Sequence, residues 1–202
     1  AFIDDYRKAM ADKYKNIEDL NKRWGTNYTS FSEVEMPNGI EATPRYYDWK
    51  EYNDMILPSW IEKVSGYIKG IDPEVFTHVK VMDTFKTGVN FRVSSSDNYE
   101  ILDKYTDISG CDAWSMIATD DNRWKNIFYD FLTSVKNAPI YNTEDHIIVD
   151  AREMVYNDKE VWYNIADIWN GAVHGRDYSV SWILRRENNN PEILGNILYR
   201  PD

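Results

Sequence analysis

The chain has 202 residues, 43% of them hydrophobic and 15% aromatic, with 8 Trp and 15 Tyr; that is enough apolar surface for a packed core and excludes a disordered tail. Lys and Arg number 23 against 34 Asp and Glu, a formal net charge of −11, which argues against a nucleic-acid backbone or an anionic membrane as the main partner. The single cysteine, Cys111, excludes an internal disulfide, and no apolar stretch reaches the ~18 residues of a membrane span.

In chain order, residues 2–24 predict one amphipathic helix. Phe2, Ile3, Tyr6, Met10, Tyr14, Ile17, Leu20 and Trp24 recur at spacings of three and four, and Gly25 supplies a C-terminal stop. Residues 26–45 read as a loop broken by Pro37, Asn38-Gly39 and Pro44. A second helix is expected over 47–69, kinked or split at Pro58 and ended by Gly70 and Asp72-Pro73. The pattern then changes. Residues 76–82 (FTHVKVM) read as a strand, 84–97 as a long polar loop and 99–105 as a short helix. A second strand lies within 108–117, around CDAWSMI, and a helix over 122–135 carries Trp124, Ile127, Phe128, Phe131, Leu132 and Val135 on one face. Residues 138–143 form a third strand, 160–173 a helix and 178–184 a fourth strand.

Strand–helix alternation of this kind predicts parallel β/α units with right-handed crossovers. Neither G-x-G-x-x-G nor G-x-x-x-x-G-K follows any strand, which weighs against a nucleotide site. Four units make half of an eight-stranded barrel with open edges, or a small self-contained α/β sandwich; composition leaves both open.

In β/α barrels the reacting groups sit at strand C-termini and in the loops that follow. That rule selects Asp83-Thr84, residues 115–121, residues 143–146 and residues 182–187. The third place is the sharpest, because Glu144, Asp145 and His146 follow a short apolar strand. A carboxylate fixed there suits attack on a sugar's anomeric carbon; a helix cap or a lysine pair is the plainer use of Glu144. Trp182 suits the floor of a sugar subsite, since sugar C–H faces stack on aromatic rings, and core packing is its ordinary alternative. Arg185 and Arg186 suit either the stabilisation of a nearby carboxylate anion or a solvated surface. His78, His146 and His174 show no metal-ligand spacing, no G-x-S-x-G is present, and the 84–97 loop is only a weak calcium pattern. No metal and no cofactor are expected. Cys111 reads as a buried, inert thiol.

The run Leu20-Asn21-Lys22-Arg23-Trp24-Gly25-Thr26-Asn27-Tyr28, followed by Phe31-Ser32-Glu33-Val34 and Pro37, resembles the helix and loop after the fourth barrel strand of family 42 β-galactosidases, a pattern shared by related clan A glycoside hydrolases. Pro139-Ile140-Tyr141-Asn142-Thr143-Glu144 is similar to their seventh strand, and Ala172-Val173-His174-Gly175 with Tyr178-Ser179-Val180-Ser181-Trp182 to their seventh helix and eighth strand. The resemblance implies an α/β fold, a (β/α)8 TIM barrel of which residues 1–202 supply the last four β/α units: 1–72 a helical region after strand 4, and 73–202 strands 5 to 8 with their helices. It implies a retaining mechanism with Glu144 as nucleophile and Trp182 in the subsite of the cleaved sugar.

In that family the acid/base is a glutamate following an asparagine at the end of strand 4. No Asn-Glu precedes the first helix here. The expectation is therefore a C-terminal half-barrel, inactive alone, whose partners are a carbohydrate and either the N-terminal half or a second copy of the chain. Relatives place Asn-Tyr at the end of strand 6, where this chain has Trp114-Ser115-Met116-Ile117-Ala118-Thr119-Asp120. Trp114, Asp120 and Asp121 become expected substrate contacts there, with Asp83, His146 and Arg185 at the other strand ends. A sugar other than galactose, or a polysaccharide, is consistent with that departure. The alternatives are a non-catalytic carbohydrate-binding or scaffold protein on a degenerate barrel, and a free-standing α/β domain of unrelated function. The compartment is open between secreted or cell-surface and cytoplasmic.

Overall fold

The computed structural model describes residues 2–82, 97–113, 123–145 and 158–181. The N-terminal region is helical, but not as one rod. Helix α1 spans Phe2–Tyr14 and α2 spans Ile17–Trp24. Between them Lys15 takes φ +66° and the Asn16 side chain accepts from the Asp19 N–H at 2.9 Å, so a left-handed residue and an N-cap divide the expected helix. Gly25 ends α2 at φ +72°, its N–H on the Asn21 carbonyl, as expected of a glycine stop. Helix α3 (Pro44–Asn53) starts on Pro44 behind a Thr43 cap, and α4 covers Ile56–Ile71. The break falls at residues 54–55, with Pro58 tolerated in the first turn of α4.

Tyr6, Met10, Leu20 and Val34 form a buried core in this region. Beside it the Asp48 carboxylate, 4% exposed, accepts from Lys13 Nζ at 2.8 Å, Trp24 Nε1 at 2.7 Å and the Tyr14 hydroxyl. Burial pushes the Asp48 pKa up, and the donors Lys13, Tyr14 and Trp24 outweigh it, leaving it below the usual carboxylate value.

The remainder is a parallel sheet. Its strands are β1 (Val81–Met82), β2 (Ser109–Asp112), β3 (Ile140–Asp145) and β4 (Arg176–Ser181), with α5 (Tyr99–Leu102), α6 (Arg123–Val135) and α7 (Asp158–Val173) between them. All three pairings are parallel and the spatial order equals the sequence order. A sheet that winds in one direction places every right-handed crossover on the same side, as in a barrel wall. Cys111, Ala113, Val81 and Ile140 point to that helix side and pack with Tyr99, Leu102, Phe128, Tyr129 and Leu132. The closed sandwich is thereby set aside.

Expected and observed elements differ in instructive places. Only Val81–Met82 of the first strand is in the ladder; Thr77 is instead held by Asp107, whose carboxylate accepts from the Thr77 N–H at 2.8 Å. On α6 the buried face is Lys125, Phe128, Tyr129 and Leu132, while Trp124 and Ile127 are exposed. Cys111 is a fully buried free thiol. Among the described residues no helix is long and apolar enough to cross a membrane.

Candidate functional site at the strand ends

The side of the sheet away from the helices carries the other half of each strand's alternation. His78 and Lys80 lead into β1, Gly110 and Asp112 lie on β2, Tyr141 on β3 and Tyr178 on β4. Tyr141 links neighbouring rings: its centroid lies 4.9 Å from that of Tyr178 and 6.2 Å from that of His78. Gly110 is required where the sheet approaches itself. A Cβ there would stand 2.2 Å from the Val79 carbonyl oxygen and 2.8 Å from His78 Nδ1.

Toward the C-terminal ends of the strands the surface becomes charged. Lys80 donates to Glu144 Oε2 and lies 3.8 Å from Asp112 Oδ2. Glu144 is 17% exposed at its side chain. The ammonium of Lys80, the residue just before β1, thus sits between carboxylates of β2 and β3, toward the end of the sheet where barrel chemistry is placed.

Glu144 reaches this side because β3 is irregular. Asn142 pairs with Ser179 and Asp145 with Ser181, so three steps on β3 match two on β4. This is a bulge, with Thr143 and Glu144 opposite Val180. Under strict alternation Glu144 would share Asn142's side and Asp145 would face away from the helices. The extra residue exchanges them. Asn142 stays on the helix side, where its amide donates to the Ala113 carbonyl at 2.6 Å and to the Tyr129 hydroxyl at 2.9 Å.

Asp145 also turns to the helix side, into a charge cluster absent from the sequence-level expectations. Lys125 Nζ donates to Asp145 Oδ1 at 2.6 Å and to Asp167 Oδ2 at 2.8 Å. Arg176 Nη1 donates to Asp145 Oδ2 at 2.5 Å, and Ser179 Oγ to the same oxygen at 2.7 Å. Burial raises the Tyr129 pKa well above the phenol range, with the Asp145 charge adding to the effect, so that ring is neutral. Burial works against the Arg176 charge, but the surrounding Tyr129, Asp145 and Asp167 outweigh it and its pKa is raised. The sequence signal was weak: one lysine inside an otherwise apolar helical face.

Of the site residues expected from sequence, Glu144 is in the described part of the chain and stands at a strand end. The lysine pair, offered as its plainer role, is also present. Asp83, Trp114, Asp120, Asp121, His146, Trp182 and Arg185 lie outside the described residues. Lys80 and Asp112, which sequence reasoning passed over, are the groups found next to Glu144.

Comparison with known proteins agrees with this architecture. The family profile of glycoside hydrolase family 42, described as beta-galactosidase, matches residues 2–152. Beta-galactosidase BgaB of Geobacillus sp. (strain Y412MC61) is 26% identical over 111 residues, covering 50% of this chain and 16% of that protein. Among solved structures, an exo-carrageenase GH42 from Bacteroides ovatus superposes with TM-score 0.72 at 24% identity, over 95% of this chain and 30% of the other. A beta-galactosidase from the Antarctic haloarchaeon Halorubrum lacusprofundi gives TM-score 0.73 at 19% identity, over 95% and 31%. The chain thus spans less than a third of the length of these relatives, and the structural matches show the fold: an α/β chain forming part of a TIM barrel.

Proposed function

The chain belongs to glycoside hydrolase family 42, and from that membership and the strand-end geometry we propose that it carries the nucleophile half of a retaining, β-galactosidase-like active site. The observation that carries the proposal is the position of Glu144, bulged to the non-helical side of β3 beside Lys80 and Asp112. In this reading residues 1–72 are the helical region after barrel strand 4, and β1 to β4 are strands 5 to 8.

The reaction runs in two displacements. A Glu144 carboxylate oxygen attacks C1 of the β-linked sugar and forms a glycosyl ester as the C1–O bond to the leaving group breaks. The leaving oxygen takes a proton from a second carboxyl group, supplied by the other barrel half. Water then attacks C1, gives its proton back to that second group, and releases Glu144 as an anion. Lys80, which donates to Glu144, orients the resting carboxylate. The aromatic band of Tyr141 and Tyr178 offers ring faces for sugar C–H surfaces, and Trp182 and Trp114 are proposed to extend it, with Asp83, Asp120, His146 and Arg185 as polar contacts. The substrate proposed is a β-linked galactoside or related glycan.

Completion of the barrel belongs to the same proposal. Trp162, Trp169 and Val173 on α7, and Trp60, Tyr67 and Ile71 on α4, are exposed apolar side chains on the two flanking helices of the sheet. Their cover is proposed to be the complementary half-barrel, which also pairs the edges of β1 and β4 that have no neighbouring strand among the described residues. The test is chemical. The intact protein carrying Glu144→Gly is given an activated aryl β-galactoside with azide. Formation of the α-configured galactosyl azide supports Glu144 as the nucleophile. A β-configured product, or rescue of free-sugar release without azide capture, would overturn the assignment.

A further inference from the structure

We infer that Asp145 is a positioning residue: the buried ion cluster behind β3 locks the bulge that aims Glu144 at the sugar. The inference rests on the reading of Glu144 as nucleophile and extends it to why that carboxylate, and not its neighbour, faces the cleft. Two consecutive acidic residues end β3, and a one-residue slip would exchange their sides. The fold needs a device that distinguishes them, and the cluster is built to do so.

Both oxygens of Asp145 are engaged from the helix side, Oδ1 by Lys125 of α6 and Oδ2 by Arg176 and Ser179 of β4. Lys125 is bound in turn by Asp167 of α7, and Arg176 Nη1 lies 3.6 Å from Asp167. Side chains of α6 and β4 therefore meet on one fully buried carboxylate of β3, with α7 joined through Lys125, and none of the residues in the ion cluster is more than 4% exposed. Lysine or arginine in place of Asp145 would meet two cations, and solvent is excluded. Glu144 cannot replace it without carrying a longer side chain into the same closed space. Two further features serve the cluster. Gly171 leaves room for the Arg176 guanidinium, whose Cζ would lie 2.5 Å from any Cβ at that position. A second bulge places Arg176 opposite Ile140 and Tyr178 opposite Tyr141, with the intervening Asp177 accepting from the Ile140 N–H at 3.0 Å.

Stability alone is a poor reason for such a set, because well-packed apolar side chains of similar volume serve a core as well as a buried ion network. Its specific product is register. A displacement of about 1 Å in a catalytic group costs on the order of 10²-fold in rate, so a loosened bulge is felt at the nucleophile before the fold is lost.

The experiment compares Asp145→Asn with Asp167→Asn in the intact protein. Each removes one charge from the same cluster, and only the first touches the strand that bears Glu144. The readout is the rate of covalent trapping by 2-deoxy-2-fluoro-β-galactosyl fluoride, with the labelled peptide identified by mass spectrometry and the melting temperature recorded. Asp145→Asn is expected to slow trapping on the order of 10²-fold with the half-saturating reagent concentration little changed, while Asp167→Asn slows it far less for a similar loss in melting temperature. Ser179→Ala, which removes a single hydrogen bond to Asp145 and no charge, is expected to give a several-fold slowing and carries the test if Asp145→Asn does not fold. Equal trapping rates for the two charge variants, or an unchanged rate in Ser179→Ala, would overturn the positioning role. Wild-type protein labelled on a peptide without Glu144, or not labelled, would instead overturn the nucleophile reading, and the inference would fall with it.

Discussion

Lys125→Met removes one cation from a buried set of two cations and two carboxylates. Lys125 is 1% exposed and donates at 2.6 Å and 2.8 Å to Asp145 and Asp167. Without it Arg176, at 2.5 Å and 3.6 Å from the same two groups, is the remaining cation for both. Breaking a buried pair by deleting one partner costs about 3–5 kcal/mol, and the sharing by Arg176 places this case near the lower end, about 3 kcal/mol. The unfolding midpoint of the intact protein in urea therefore falls, by the lost stability divided by the denaturant slope. Adding Asp167→Asn restores neutrality, Arg176 against Asp145. The double variant is expected to recover about 1–2 kcal/mol relative to the sum of the singles, within the usual range for coupled sites. Equilibrium urea unfolding followed by tryptophan fluorescence measures both. A Lys125→Met variant within about 0.5 kcal/mol of wild type, or a double variant no better than additive, would refute the charge-balance argument.

Three other outcomes follow from the geometry. Gly110→Ala should destabilise by about 3 kcal/mol, the upper end for overpacking, because the new methyl meets the Val79 backbone; an unchanged melting temperature would contradict it. The folded pKa of Asp107 is held at about 2, chiefly by the Lys69 hydrogen bond and then the Thr77 N–H, and that of Asp48 is also lowered. Both carboxylates therefore add stability above the ordinary value of 3.8 and lose it as pH falls toward the folded values. The stability gap between wild type and Asp48→Asn should narrow as pH falls from about 5 toward 2, and a pH-independent gap would count against it. The isolated chain, with its apolar α4 and α7 faces uncovered, should self-associate in sedimentation or pair with the complementary half; a stable monomer that unfolds cooperatively would contradict the half-barrel proposal.

Local signals carried much of the fold. Gly25 after Trp24, Pro44 behind Thr43, and the alternation of strand and helix beyond residue 76 each mark a boundary by backbone chemistry that neighbours in sequence can express. The division at Lys15 also had a signal, since Asn16 stands three residues before Asp19 in the manner of a capping pair; the continuous apolar spacing from Tyr14 to Ile17 obscured it. Of the candidate site, the strand-end position of Glu144 was legible, because a carboxylate follows a short apolar strand. Lys80 and Asp112 were not, because pairing between neighbouring parallel strands is set by register, and the paired positions of β1 and β2, Val81 with Cys111 and Met82 with Asp112, lie 30 residues apart in sequence. The role of Asp145 was hidden for the same reason. Its partners come from positions 125, 176 and 179, and the bulge that turns it inward has no local signature.

The most direct test of the account is turnover of an aryl β-galactoside by the intact protein carrying Glu144→Gln, measured beside its melting curve. The substitution keeps the volume and deletes the anion, so the account predicts hydrolysis reduced by several orders of magnitude with folding unchanged. Near-wild-type turnover in a folded Glu144→Gln variant would contradict it.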